Sequence, residues 1–137
     1  MLKKTISYID YDGNERKEDH YFNLNKAEVI ELELEEQGGL SKLVEKLVAE
    51  QDGKRIMAIF KDLIMRSYGE KSLDGKRFIK SPELSTAFIQ TEAYSELIME
   101  MLTDPNAAAA FVNGIVPKSE ENPEDSQPKT PQITPIN

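Results

Sequence analysis

Asp10, Asp12 and Gly13, in the stretch YIDYDGNERK (residues 8–17), have residue types and a spacing that could do chemistry. An EF-hand calcium loop needs oxygen ligands at its first, third, fifth and twelfth positions, Gly at the sixth and usually an apolar residue at the eighth. With Gly13 sixth, Asp10 and Asp12 fall third and fifth, but Tyr8 is first, Glu15 eighth and Asp19 twelfth. The first position then has no carboxylate, the eighth is charged, and the twelfth holds a shorter acid than the usual Glu. No amphipathic helix precedes the loop. The competing reading is a hairpin tip. Asp12-Gly13 is a two-residue turn signal, because both central positions of such a turn prefer φ > 0. The flanks TISYI and KEDHYF carry the β-branched and aromatic residues of strands. A β-hairpin over residues 3–22 is therefore expected, with Ile6 and Tyr8 on one face.

The remaining chemistry is thin. His20 is the single histidine and there is no cysteine. A metal centre needs more ligands than that at defined spacing. No G-x-S-x-G elbow accompanies His20, and neither a P-loop nor G-x-G-x-x-G occurs. Glu28, Glu31 and Glu35 share a helical face, but acid–base work needs surroundings that split their pKa values. A solvated helix face accounts for them. No catalytic residue, metal or cofactor is expected, and the chain reads as a binding protein rather than an enzyme.

Composition sets further bounds. The 137 residues are 39% apolar and 31% charged, enough for one domain with its own core. The net charge of -8 repels phosphate backbones and anionic lipid, and no basic stripe interleaved with aromatics offsets it. Neither nucleic acid nor membrane is expected as a partner. No apolar run approaches the roughly 20 residues that span a bilayer. MLKKTISYID has lysines without an apolar run behind them, so no signal peptide is expected. The lack of cysteine suits a cytosolic setting.

After the hairpin the apolar period lengthens. Asn25 and Glu28 have capping-box spacing, and Ala27, Ile30 and Leu34 fall on one helical face. IELELE also alternates, so residues 30–35 read as helix or strand, with helix favoured. Gly38-Gly39 ends this segment. Leu40, Leu43, Val44, Leu47 and Val48 form a second helical stripe. Asp52 caps a third helix bearing Ile56, Ile59, Phe60, Leu63 and Ile64, expected at the centre of the core, with Gly69 as its C′ residue. Residues 70–80 read as a loop turning at Asp74-Gly75. Ser81-Pro82-Glu83 starts a helix, and Thr91 caps another with Tyr94, Leu97, Ile98, Met101 and Leu102 as its stripe. NAAAAFVNG, after Asp104-Pro105, is a short Ala-rich helix that needs a neighbour. Met57, Met65, Met99 and Met101 read as core filler or as an adaptable surface. The fold class is α+β, mostly α-helical: a hairpin packed on four to six helices between about residues 25 and 114, in a domain over 1–116.

Residues 117–137 hold five of the seven prolines and no aromatic residue. They cannot bury enough apolar surface to offset ordering entropy and read as a disordered tail. Tyr94, Ile98, Met101, Phe111, Val112 and Ile115 cluster with little polar cover. They are core or, alternatively, a groove between the last two helices that takes a partner.

Three stretches carry a resemblance over about residues 3–118: KTISYIDYDGNERKEDHYFNLNKAEV, DGKRIMAIFKDLIMRSYGEKSLDGKRFIKSPELSTAFIQTEAYSELIMEML and NAAAAFVNGIVPK. Together they resemble tail assembly chaperones of long-tailed, siphovirus-type bacteriophages of Gram-positive bacteria. The resemblance implies a non-enzymatic protein of the host cytoplasm, absent from the mature virion. Such a protein coats and solubilises the tape measure protein, self-associates and helps recruit tail tube subunits. It also implies a longer form made by programmed frameshifting, which engages the tube protein. Val116-Pro117-Lys118 is the candidate boundary, since codons such as GTC CCA AAA there form a slippery heptamer. The family offers no catalytic or metal residue to carry over. The rival reading is a small acidic adaptor, or a phage-encoded inhibitor of a host protein.

Overall fold

The computed structural model describes residues 1–35, 38–49 and 51–117, with all their side chains except those of Leu40 and Val48. Strands β1 (Leu2–Ile9) and β2 (Glu15–Phe22) pair antiparallel over their whole length, from Leu2 opposite Phe22 to Ile9 opposite Glu15. The turn between them differs from the expected two-residue type. The Gly13 N–H donates to the Asp10 carbonyl (3.0 Å) and the Asp10 N–H to the Asn14 carbonyl (2.9 Å). Tyr11 and Asp12 are thus the central pair, and Gly13 follows in the left-handed region at φ 85°. The shift is imposed by Asp10, whose carboxylate accepts the N–H groups of Asp12 and Asn14 (2.9 Å each) and Arg16 Nε (2.7 Å).

Residues 30–35 are helical, in α1 (Lys26–Glu35). The capping box forms in both directions: Asn25 N–H to Glu28 Oε1 and Glu28 N–H to Asn25 Oδ1, each 2.8 Å. The face it buries is not the expected one. Ile30 and Leu34 are 59% and 83% exposed, while Leu32 is buried and Val29 half-buried. α2 (Gly39–Ala49) turns inward with Leu43, Val44 and Leu47. The expected places of Leu40 and Val48 lie outside the described side chains. α3 (Gly53–Ser67) is capped by Asp52, which accepts the Lys54 N–H at 3.0 Å, and buries Phe60, Leu63 and Ile64.

The expected loop at 70–80 contains two more strands. β3 (Tyr68–Lys71) pairs with β2, and β4 (Phe78–Ile79) with β3, completing an antiparallel sheet in the order β1-β2-β3-β4. The Asp74-Gly75 turn is present, with Gly75 at φ 75°, but its flanks pair. Gly69 is part of β3 rather than a helix cap. A Cβ there would lie 2.6 Å from the Ile79 carbonyl oxygen and 2.7 Å from the Phe78 ring, so the close approach of β4 demands glycine. Helices α4 (Pro82–Ile89), α5 (Glu92–Thr103) and α6 (Pro105–Ile115) follow, capped by Ser81, Thr91 and Asp104. α4 and α5 stay separate, and Leu102 is exposed while the rest of its expected stripe is buried. The expected disordered tail lies outside the described residues apart from Pro117.

The end of α3 falls inside the protein, where helix-terminal carbonyls still need donors. The Met65 carbonyl accepts Ser85 Oγ (3.0 Å), the Arg66 carbonyl accepts Lys80 Nζ (2.8 Å), and the Ser67 carbonyl accepts the Asn23 N–H (2.8 Å). The next N–H, that of Leu24, donates to the Ile115 carbonyl at the end of α6 (2.7 Å). Lys80 Nζ also donates to Glu28 Oε1 (2.7 Å), tying the α1 capping box to the same point.

Ser85→Ala and Lys80→Met each withdraw one donor from a part-buried helix-terminal carbonyl while keeping most of the side-chain volume. Each should lower the unfolding free energy by about 1–3 kcal/mol, read as a lower urea midpoint with unchanged slope. Unchanged midpoints for both would refute the carbonyl account.

Candidate partner-binding surface

The residues with chemical potential turn out to be structural. Asp10 is committed to its turn; its hydrogen bond from Arg16, and then those from the Asn14 and Asp12 amides, hold its pKa below the usual carboxylate value. Glu28 belongs to the α1 cap, and Glu35 accepts Arg66 Nη2 at 2.8 Å. No group of three metal-ligating side chains occurs among the described residues.

His20 is mostly enclosed. Its ring centroid lies 5.0 Å from that of Phe88 and 6.3 Å from that of Tyr68, and its buried Nε2 makes no hydrogen bond within the protein. Burial pushes its pKa below 6.5; the nearby charges of Glu18 and Asp19 oppose the shift without cancelling it.

The six candidate partner residues come together, but as core. Tyr94, Ile98 and Met101 of α5 and Phe111, Val112 and Ile115 of α6 are all buried, and α5 packs directly on α6. In this arrangement a partner could reach most of them only if α6 lifted away. Val112 is the exception in position, because it also lines an open groove. The methionines divide: Met101 is buried, whereas Met57 and Met99 are exposed.

That groove, about 690 Å³, runs between α1, α2 and the end of α6. Val29, Ile30, Val44, Val112 and Val116 give it an apolar lining, with Lys26, Glu33, Ser41 and Asn113 among its polar residues. Ile30 and Leu34, one helical turn apart, form an exposed apolar ridge on α1. Three contacts set the geometry. The Leu24 N–H holds the end of α6 beside the start of α1, Lys80 holds Glu28, and Arg66 holds Glu35. Sequence reasoning placed Ile30 and Leu34 on one helical face and did not identify the groove. The signal that could have found it was the weak amphipathicity of KAEVIELELE, in which no single face is clearly the buried one.

A family profile described as phage tail assembly chaperone matches residues 1–134. The chain belongs to the phage tail assembly chaperone family. No curated protein and no solved structure gives a significant match. As a tail assembly chaperone the protein binds tail proteins, a role that points to contact surfaces rather than catalysis. Among the described residues of the chaperone, no helix is long and apolar enough to cross a membrane.

Because the unfolded chaperone takes up a proton at His20 near pH 6.5 while the folded imidazole resists it, stability should fall as pH drops through that value. His20→Phe keeps an aromatic ring against Phe88 and removes the titration. It should flatten the urea midpoint between about pH 7 and 5.5, above the range where carboxylates dominate. An equally steep profile in the variant would exclude His20 as the source.

Proposed function

We propose that this chain coats and solubilises the tape measure protein of a long-tailed phage of a Gram-positive host and helps recruit tail tube subunits to it. It acts in the host cytoplasm, in several self-associating copies, and leaves before the virion is complete. The observation that carries this reading is the family match over residues 1–134. A tape measure is a long, largely helical protein with apolar seams, and the groove has the shape and lining to receive one face of such a helix. On this reading Ile30 and Leu34 make first contact. Val112 is in the groove wall, and Tyr94, Ile98, Met101, Phe111 and Ile115 are the packed layer that keeps that wall rigid.

The longer form that engages the tube protein is part of the same proposal. α6 ends at Ile115 with Val116 as its C-cap, so the candidate boundary at Val116-Pro117-Lys118 directly follows the last helix in the sequence. A slippery heptanucleotide between codons 105 and 137 of the gene is the expected signature, and its absence would exclude frameshifting there.

Ile30→Asp with Leu34→Asp tests the docking surface. Both side chains are exposed, so folding should change by roughly 0.5 kcal/mol or less per site. Co-expressed with a tape measure fragment, the native chain should keep the fragment soluble. The double variant, with native circular dichroism and midpoint, should lose most of that effect. Full solubilisation by the folded variant would rule out this surface.

A further inference from the structure

We propose that the outer edge of β1 pairs with β1 of a second copy, antiparallel about a two-fold axis at Thr5, so that two sheets become one. The hydrogen bonding of the hairpin shows which groups are free to do so. The Asp10 N–H donates to the Asn14 carbonyl (2.9 Å), in line with the register that sets Tyr8 opposite Arg16 and Ile6 opposite Glu18. Bonded pairs recur at every second residue of an antiparallel ladder. Leu2, Lys4, Ile6 and Tyr8 therefore bond to β2, and the N–H and C=O groups of Lys3, Thr5, Ser7 and Ile9 point away from it. β1 ends the sheet order, and among the described residues no hydrogen bond reaches those outward groups. α5 packs against the face of β1 where Ile6 is buried and Lys4 Nζ donates to Glu100 Oε1 (2.9 Å), whereas the side chains of Lys3, Thr5, Ser7 and Ile9 are all exposed.

The other free stretches of the sheet are protected in ways that β1 is not. Short edges and charged edges both resist strand pairing. β4, at the far end of the sheet, is two residues long. β3 covers only Tyr21 and Phe22 of β2, and the part of β2 left uncovered is Glu15-Arg16-Lys17-Glu18-Asp19, five charged residues in succession. β1 has eight residues, no proline and an unbroken register with β2. Its charges are Lys3 and Lys4, and Lys4 is held by Glu100.

The occupant follows from the sequence of the edge. A two-fold contact needs a surface complementary to itself. About Thr5, Lys3 of one copy faces Ser7 of the other, Lys4 faces Ile6, and Leu2 faces Tyr8, so no charge meets its like. At the ends, Met1 faces Ile9; each is 52% exposed in the single chain, and the pairing covers both. Sliding the register toward the start of the strand sets Lys3 or Lys4 against itself, and sliding it the other way takes Met1 off Ile9. In a chain of net charge -8, residues 1–9 hold two lysines and no acid, so neither copy brings a carboxylate on the pairing strand itself. One strand pair buries less than a standard interface, which makes the contact weak and reversible. Its use in joining neighbouring copies along a tape measure rests on the function proposed above; the pairing itself is read from the sheet.

Sedimentation equilibrium and amide hydrogen exchange of the native full chain, between about 10 μM and 1 mM, test the pairing in the range of a weak contact. The mass should rise toward that of a dimer. Over the same range the amides of Thr5 and Ser7 should slow by about threefold or more, while those of Glu15 and Lys17 stay unchanged. Thr5→Pro removes an N–H that the β1–β2 ladder does not use and should leave the chain monomeric throughout. If that variant unfolds, Thr5→Lys keeps the main chain and sets like charges face to face at the axis. It should weaken the dimer about two- to fivefold, and less at high salt. The proposal is overturned by a chain that stays monomeric, by a dimer whose Thr5 and Ser7 amides exchange as freely as the monomer's, or by a dimer undiminished in the folded variants. Slowing that appears only when a tape measure fragment is added gives the edge to that partner and overturns it as well. Solubilisation through Ile30 and Leu34 reads the chaperone function separately, so either test can fail alone.

Discussion

A helix that ends in the interior must have its last carbonyls satisfied by whatever lies around them, and α3 ends in the interior. Its donors come from three separate places: Ser85 on α4, Lys80 just after β4 and the Asn23 amide between β2 and α1. The β3–β4 hairpin brings Lys80 back to the helix that precedes it, so the hairpin helps to cap α3 as well as to extend the sheet. The amides of Asn23 and Leu24 are consecutive yet serve different helices, α3 and α6. Two residues of extended backbone thereby fix the ends of both helices at the point where α1 begins. The position of the groove follows from that geometry.

Around this junction the aromatic residues supply the apolar cohesion. Phe22 is fully buried, with ring centroids 5.6 Å from Tyr68, 5.7 Å from Phe88 and 5.3 Å from Phe111. One side chain at the end of β2 thus joins the sheet to α4 and α6, with edge-on geometries that add to area burial. α1 is held quite differently. Among the described residues, Leu32 is its one buried side chain, Val29 is half-buried, and the Lys80–Glu28 and Arg66–Glu35 pairs tie it to the rest of the molecule beside its packing on α2. The Arg66–Glu35 pair is exposed and contributes about 0–1 kcal/mol, whereas the Lys80–Glu28 pair is partly enclosed. The wall of the groove formed by α1 and α2 is therefore the weakly held side of the molecule, and the wall formed by α6 the strongly held side. Segments at the low-stability end are the ones that adjust to ligands.

What the sequence revealed and what it hid divide along the range of the interactions. The caps at Asn25, Asp52, Ser81 and Thr91 are legible because a side chain and an amide two or three residues away settle them. The stripes of α3 and α5 are legible because a wide apolar face leaves little choice of orientation. β3 and β4 were hidden: each is only two to four residues long, β3 is a strand through its pairing with the distant β2, and β4 through its pairing with β3. Gly69 looked like a helix stop because glycine after a helix usually is one, whereas its reason is the carbonyl of Ile79. For α1 the pattern misled outright. Ala27, Ile30 and Leu34 make an acceptable stripe, but Lys80 and Arg66 hold the helix by Glu28 and Glu35 and turn that stripe outward. The six residues read as core or as a partner groove are buried, as the first of those readings has it. The residues with the highest apolar density were core, and the exposed apolar ridge lay on a helix dominated by glutamate.

The exposed ridge among glutamates bears on how a chaperone of this size can work. A surface that binds apolar helices must stay open without driving the chaperone into aggregates of its own. Ile30 and Leu34 sit among Glu28, Glu31, Glu33 and Glu35 on a chain of net charge -8. Two such ridges meeting face to face would bring like charges together at short range. A partner helix with fewer acids meets no such penalty. The glutamates that obscured the helix in the sequence thus select against self-pairing through the ridge, and they do so most strongly at low ionic strength. A groove of this extent also limits what one copy can bury, placing single contacts in the weak, transient class. On the proposed reading, strength along a long tape measure comes from many such contacts in register, each weak enough to be displaced singly as tube subunits arrive.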